Sequence, residues 1–158
     1  MVKRAGFTLI ELLVVMAVMV LLLGVSIPFF AGFSRGAKLK TAAKGITAVL
    51  NSARNLAITK RRNYSVLFNN SGRPHSYAII DPQGAIYGKN YSLPSGIEFY
   101  RQSQPDQPTT FTANKVVFSS TGGLSGSSGS VWIADKKGNF RRISVSRSIG
   151  KVKIDQQP

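Results

Sequence analysis

The stretch Gly6-Phe7-Thr8-Leu9-Ile10-Glu11, continued by LLVVMAVMVLLLGVSIPFFAGF over residues 12–33, decides how this chain is read. Between Phe7 and Phe33 the only charged side chain is Glu11. A helix needs about 20 apolar residues to cross the hydrocarbon core of a bilayer, and residues 12–33 meet that length. A secretory signal peptide has an apolar core of roughly 7–15 residues and a small-residue cleavage site after it. Here the run is longer and no A-x-A pattern follows, so the expectation is a membrane helix that stays. A carboxylate inside such a segment is costly and marks a function by default.

Outward from this run, the helical pattern continues. Leu39, Ala42, Ala43, Ile46, Val49, Leu50, Ala53, Leu56 and Ala57 recur every three or four residues, with Lys40, Lys44, Thr47, Asn51 and Arg54 on the other face. That spacing predicts an amphipathic helix whose greasy stripe packs on a domain. One helix from about residue 7 to residue 60 is the simplest reading, with Pro28, Gly32 and Gly36 loosening its middle. After Arg62 the period changes to two. Strands are expected at residues 64–68, 76–80, 96–100, 115–119, 130–134, 140–145 and 149–154, separated by turn-forming sets. They predict one antiparallel sheet built from hairpins. Residues 103–114 and 121–130 read as exposed loops, the second mobile because it is Gly/Ser-rich.

The chain has 158 residues and a formal net charge of +15, from 21 Lys and Arg against 6 Asp and Glu. Such a surplus suits a polyanionic partner. It has no Cys, which excludes disulfides, thiolate metal sites and Cys nucleophiles. His75 is the only histidine, so a His-rich metal site is excluded as well. Asp81, Glu98, Asp106 and Asp135 lie on separate elements without paired-carboxylate spacing, and no nucleophile–base–orienter set is visible. The expectation is a non-enzymatic protein with no cofactor and no metal.

Gly6 before Phe7-Thr8-Leu9-Ile10-Glu11 and the apolar run resembles the class III signal of type IV pilins and type II secretion pseudopilins. The resemblance implies that a prepilin peptidase cuts after Gly6 and N-methylates Phe7. It makes Glu11 the fifth residue of the mature chain, where the family keeps its acid and where it can pair with a neighbour's terminal ammonium during assembly. Pro28 falls where many pilins carry a helix-loosening proline. An ordinary single-pass anchor with Glu11 near the headgroups is the plainer alternative. Positive-inside counting would put the C-terminal domain in the cytoplasm, since Arg35, Lys38, Lys40 and Lys44 outnumber Lys3 and Arg4. The resemblance implies the reverse, because the peptidase cuts on the cytoplasmic side.

Leu93-Pro94-Ser95-Gly96-Ile97, Val117-Phe118-Ser119-Ser120-Thr121-Gly122 and Ile149-Gly150-Lys151-Val152-Lys153-Ile154 are similar to the GspH/FimT group of minor pseudopilins and minor pilins. That similarity implies an α+β, pilin-like fold, a long N-terminal transmembrane and amphipathic helix packed on an antiparallel β domain. The expected organisation is a leader at residues 1–6, an assembly helix at 7–33, its amphipathic continuation at 34–62 and the β domain at 63–158. The implied partners are other pilins or pseudopilins in a filament, the prepilin peptidase and inner-membrane lipid before assembly. The implied location is the bacterial inner membrane, single-pass, with the domain extracytoplasmic, and then a pilus or pseudopilus.

The charge is unevenly placed. Residues 34–63 hold eight basic side chains and no acid, a group explained by headgroups or adjacent subunits. A second cluster, Arg141, Arg142, Arg147, Lys151 and Lys153, is the candidate DNA-binding patch. FimT-type pilins implicated in DNA uptake carry Gly-Arg-x-Arg near the C-terminus, and Gly150-Lys151-Val152-Lys153 resembles it with Lys for both Arg. Lys gives a point charge where Arg gives a bidentate fork, which still serves sequence-independent phosphate binding. A solvated charged face is the plain alternative. Residues 84–90, GAIYGKN, only glance at a phosphate-binding loop, and His75 beside Pro74 reads as an exposed turn residue.

Overall fold

A computed structural model describes residues 8–100 and 109–156, and their side chains except those of 25–35 and 156. The helix α1 runs Leu9–Lys60. Thr8 caps it: the Glu11 N–H donates to Thr8 Oγ1 at 3.3 Å and the Leu12 N–H to the Thr8 carbonyl at 3.2 Å. Glu11 thereby stands in the first turn, where a carboxylate favours the positive end of the helix dipole. At the other end the Arg62 N–H donates to the Ala57 carbonyl and the Arg61 N–H to that of Ile58, a Schellman closure. It places Arg61 in the left-handed region at φ 51°.

The chain divides into two compact units, Met1–Gly36 and Ala37–Pro158. In the first, the large apolar side chains between Leu9 and Leu23 are exposed. Among the described residues no helix is long and apolar enough to cross a membrane. The run 12–33, on which the membrane reading rests, extends into residues whose side chains lie outside the described set.

The second unit contains the whole hydrophobic core, from Leu39 to Val145. The predicted helix stripe is the part of α1 that packs there: Ala43, Ile46, Leu50, Ala53 and Ala57 have no exposed surface. Among the described residues eight strands follow α1: β1 Tyr64–Asn69, β2 Ser76–Ile80, β3 Ile86–Ser92, β4 Ile97–Phe99, β5 Lys115–Phe118, β6 Gly129–Asp135, β7 Phe140–Val145 and β8 Val152–Gln156. They form two sheets, not the single one expected, with orders β3-β2-β1-β5 and β4-β6-β7-β8. All pairings are antiparallel. Those of β1 with β5 and of β4 with β6 are not hairpins, which is why adjacency in sequence could not separate the sheets.

Three loop expectations change. Thr109 is 3% exposed and bridges to Val131, and its hydroxyl donates to Asn114 Oδ1 at 2.8 Å, so the loop is anchored at Thr109 while Thr110, Thr112 and Ala113 stay exposed; residues 103–108 lie outside the described residues. The Gly/Ser run is pinned as well: Leu124 is buried, its N–H donates to the Arg147 carbonyl, and the Ser125 N–H donates to that of Val117. His75 is half-buried, with its ring stacked on Phe99 at 5.8 Å and its Nδ1 accepting the Phe99 N–H at 2.9 Å. That contact ties the start of β2 in one sheet to β4 in the other.

Candidate functional site

The strand register sorts the basic cluster. In β7 alternate side chains face opposite ways. Ile143 and Val145 are buried, and Arg141 shares their face, with a buried Nε that has no hydrogen-bond partner among the described residues. Arg142 and Ser144 point to the outer face. There Trp132, Arg142 and Asp155 lie in one cross-strand row, and Ser130, Ser144 and Lys153 in the next. Arg147 belongs to the turn between β7 and β8; its N–H donates to Ser128 Oγ at 2.8 Å. The five cations are therefore not one patch.

Arg142, Lys151 and Lys153 do converge, on an open groove of about 760 Å³ along the outer face of the β6-β7-β8 sheet. Val152 and Ile154 are half-buried while Lys151 and Lys153 are exposed, as the alternation predicts, although β8 begins only at Val152. Arg142 is partly spent: its Nη2 lies 3.0 Å and its Nε 3.1 Å from Asp155 Oδ2. The Ser144 hydroxyl donates to the same oxygen at 2.6 Å. That hydroxyl first, and the Arg142 guanidinium beside it, hold the Asp155 carboxyl below its usual range despite some desolvation. Lys151 and Lys153 form no ion pair among the described residues, although the Lys153 charge also acts on the Asp155 carboxylate.

Gly150 answers a packing demand. It sits at φ 59°, and a Cβ there would run into the Gly122 carbonyl oxygen and press Arg54. Arg54 Nε donates to that same carbonyl at 3.0 Å. Arg54, read from sequence as part of the polar helix face, instead braces α1 against two turns of the β domain. Trp132 and the hydroxyls around it were also missed; the signal available was their period-two placement opposite Val131 and Ile133. Residues 84–90 form the turn after Asp81 and the first part of β3. No three His, Asp or Glu side chains gather to hold a metal among the described residues. Gly6 and Phe7 lie outside the described residues, as does the side chain of Pro28, and the Glu11 carboxylate is exposed.

The profile of the type II transport protein GspH matches residues 42–148. The chain belongs to the GspH family. The prokaryotic N-terminal methylation motif matches residues 1–27, spanning Gly6, Phe7 and Glu11. The fold is that of solved relatives. The type IV minor pilin FimU of Pseudomonas aeruginosa superposes with a TM-score of 0.56 at 20% identity, over 80% of this chain and 92% of its own. The minor pseudopilin EpsH of the Vibrio cholerae type 2 secretion system gives 0.54 at 12% identity, over 75% and 97%. No curated protein sequence matches the chain. Members of this family are pilin and pseudopilin subunits that assemble with other pilins into filaments. In this GspH-family chain the groove cations Lys151 and Lys153 lie beyond the matched residues, on the hairpin that closes the outer sheet.

Proposed function

We propose that the chain is a non-enzymatic minor pilin or pseudopilin subunit, cut after Gly6, N-methylated at Phe7 and assembled through its apolar helix into a type II secretion pseudopilus or type IV pilus. The observation that carries this reading is the joining, on one chain, of the methylation motif at residues 1–27 to a GspH domain at 42–148. Before assembly the apolar face rests in the inner membrane with the β domain extracytoplasmic. In the filament Glu11 pairs with the terminal ammonium of a neighbour and sets the register, and Pro28 eases the helix against its packing partners. Its work there is protein secretion or filament assembly.

The test is processing. Co-expressed with a prepilin peptidase, the native chain should lose its first six residues and carry a methyl group on Phe7 by mass spectrometry. Gly6→Ala should remain uncut. A variant that matures normally, or a native chain that is never cut, overturns the reading. DNA uptake is the alternative role. The convergence of Lys151 and Lys153 on the groove favours it; the opposite facing of Arg141 and the Asp155 partner of Arg142 weigh against it.

A further inference from the structure

The groove has a chemistry that neither the family nor the filament role assigns. Its floor is the outer face of the β6-β7-β8 sheet, where the chain's one tryptophan, Trp132, stands half-buried. Around it lie five hydroxyls, from Thr110, Ser128, Ser130, Ser144 and Ser146. Several are fixed by backbone: Thr110 Oγ1 accepts the Ser130 N–H at 2.9 Å, and Ser128 Oγ accepts the Arg147 N–H at 2.8 Å. An oxygen that accepts in this way keeps its own hydrogen for donation. Lys151 and Lys153 flank one side, and the Asp155 carboxylate lies against Arg142 beside them.

Charge density separates the polyanions that such a groove could take. Duplex DNA carries one negative charge per about 1.7 Å of axis and is held by dense cations. Here the groove is lined by two lysines outside any ion pair and by five hydroxyls, with the Asp155 carboxylate beside Arg142 and acted on by Lys153. A ligand with sparse negative charge and many hydroxyls of its own fits better. An aromatic side chain offers an apolar platform with a polar edge, suited to the C–H face of a sugar ring. Serine and threonine hydroxyls exchange hydrogen bonds with sugar hydroxyls, and each lysine meets a carboxylate. We infer that the outer groove of the β6-β7-β8 sheet binds an acidic polysaccharide, a chain of sugar rings bearing carboxylates, across Trp132 with Lys151 and Lys153 as the charge contacts. This stands independently of how the subunit is processed or assembled.

Because Trp132 is the only tryptophan, its emission reports the site directly. The full chain in a polyoxyethylene detergent is titrated with an oligogalacturonate, a neutral oligogalactan of equal length and a duplex DNA. The expected result is a saturable change in Trp132 emission with the acidic sugar, half-complete below about 1 mM, and a much weaker response to the neutral one. Lys151→Gln with Lys153→Gln should weaken the acidic-sugar affinity about tenfold, about 1.4 kcal/mol for the two exposed charge contacts together. By calorimetry, Trp132→Ser should weaken it too, measured at a temperature where circular dichroism shows the variant folded. The inference is overturned if the acidic sugar leaves the emission unchanged at 10-fold that concentration, or if it and the neutral sugar act alike. It is equally overturned if the duplex binds more tightly than the acidic sugar and the double lysine variant weakens that binding.

Discussion

Replacing Gly150 with alanine adds one methyl group at a position where two separate penalties coincide. The first is conformational. At φ 59° a residue with a Cβ sits in the left-handed region, at a cost of about 1–2 kcal/mol. The second is contact. The new Cβ meets the Gly122 carbonyl oxygen, with Arg54 Cδ and Nε at 3.1 Å. Gly122 cannot retreat without loosening the 3.0 Å bond from Arg54 Nε, and overfilling a packed site costs about 1–3 kcal/mol. Together they predict a loss of about 2–5 kcal/mol, a large share of the stability of a single domain. Two further glycines separate the penalties. Gly138 has φ 85° with nothing within 4 Å of a built Cβ, so Gly138→Ala carries the first penalty alone. Gly126 has open space and no left-handed φ, so Gly126→Ala should fall within about 0.5 kcal/mol of native. The assay is urea unfolding of residues 37–158, which contain the whole core, followed by Trp132 emission. The order should be Gly126→Ala, Gly138→Ala, Gly150→Ala, from mildest to most severe. A Gly150→Ala loss no larger than that of Gly138→Ala refutes the contact with Gly122. It would also return Gly150 to its reading as part of a binding element.

Further outcomes follow from the same geometry. Arg61→Gly should raise stability by about 0.5–1 kcal/mol in thermal unfolding, since a glycine at φ 51° removes the left-handed penalty and keeps the Schellman bonds. Phe118→Ala, at a side chain with no exposed surface, should cost about 3–5 kcal/mol by the same urea assay. Burial holds His75 below its ordinary range in the folded state, against the opposing Glu98 carboxylate and with a smaller push from Arg73. A histidine with a depressed folded pKa binds more protons unfolded, so its contribution is complete above pH 6.5 and is lost as pH falls through that value towards the folded one. Ordinary carboxylates titrate near pH 4, so the loss between pH 7 and 5 should belong to His75 and should largely vanish in His75→Gln, as read from urea midpoints. Unchanged pH dependence in that variant refutes a depressed folded-state pKa at His75.

How much was legible depends on whether a signal was local. The stripe on α1 was readable in detail because helical spacing and burial coincide from Leu39 to Ala57. The hairpin strands β1, β2, β6 and β7 were readable because each carries a run of apolar residues buried in the core, on both faces in β2. Strand β3 was not: six of its seven residues are exposed, so Ile86 to Ser92 carry no period-two contrast. What holds β3 is its register with β2 and the stacking of Tyr91 on Tyr77 at 5.5 Å, facts about a partner that no window of sequence contains.

The basic cluster is the more instructive case, because there the information was present. Arg141 and Arg142 are adjacent in a run read as a strand, and a strand sends neighbours to opposite faces. The buried pair Ile143 and Val145 already assigns Arg141 to the core side and Arg142 to the outer side. A charge count over residues 134–158 averages across that division. It also averages over Asp155, which sits in register with Arg142 and pairs with it. A positive surplus at the C-terminus is thus a poor measure of a polyanion site. Surface potential follows the face and the partner of each cation, and by that measure two lysines, not five basic residues, address the groove.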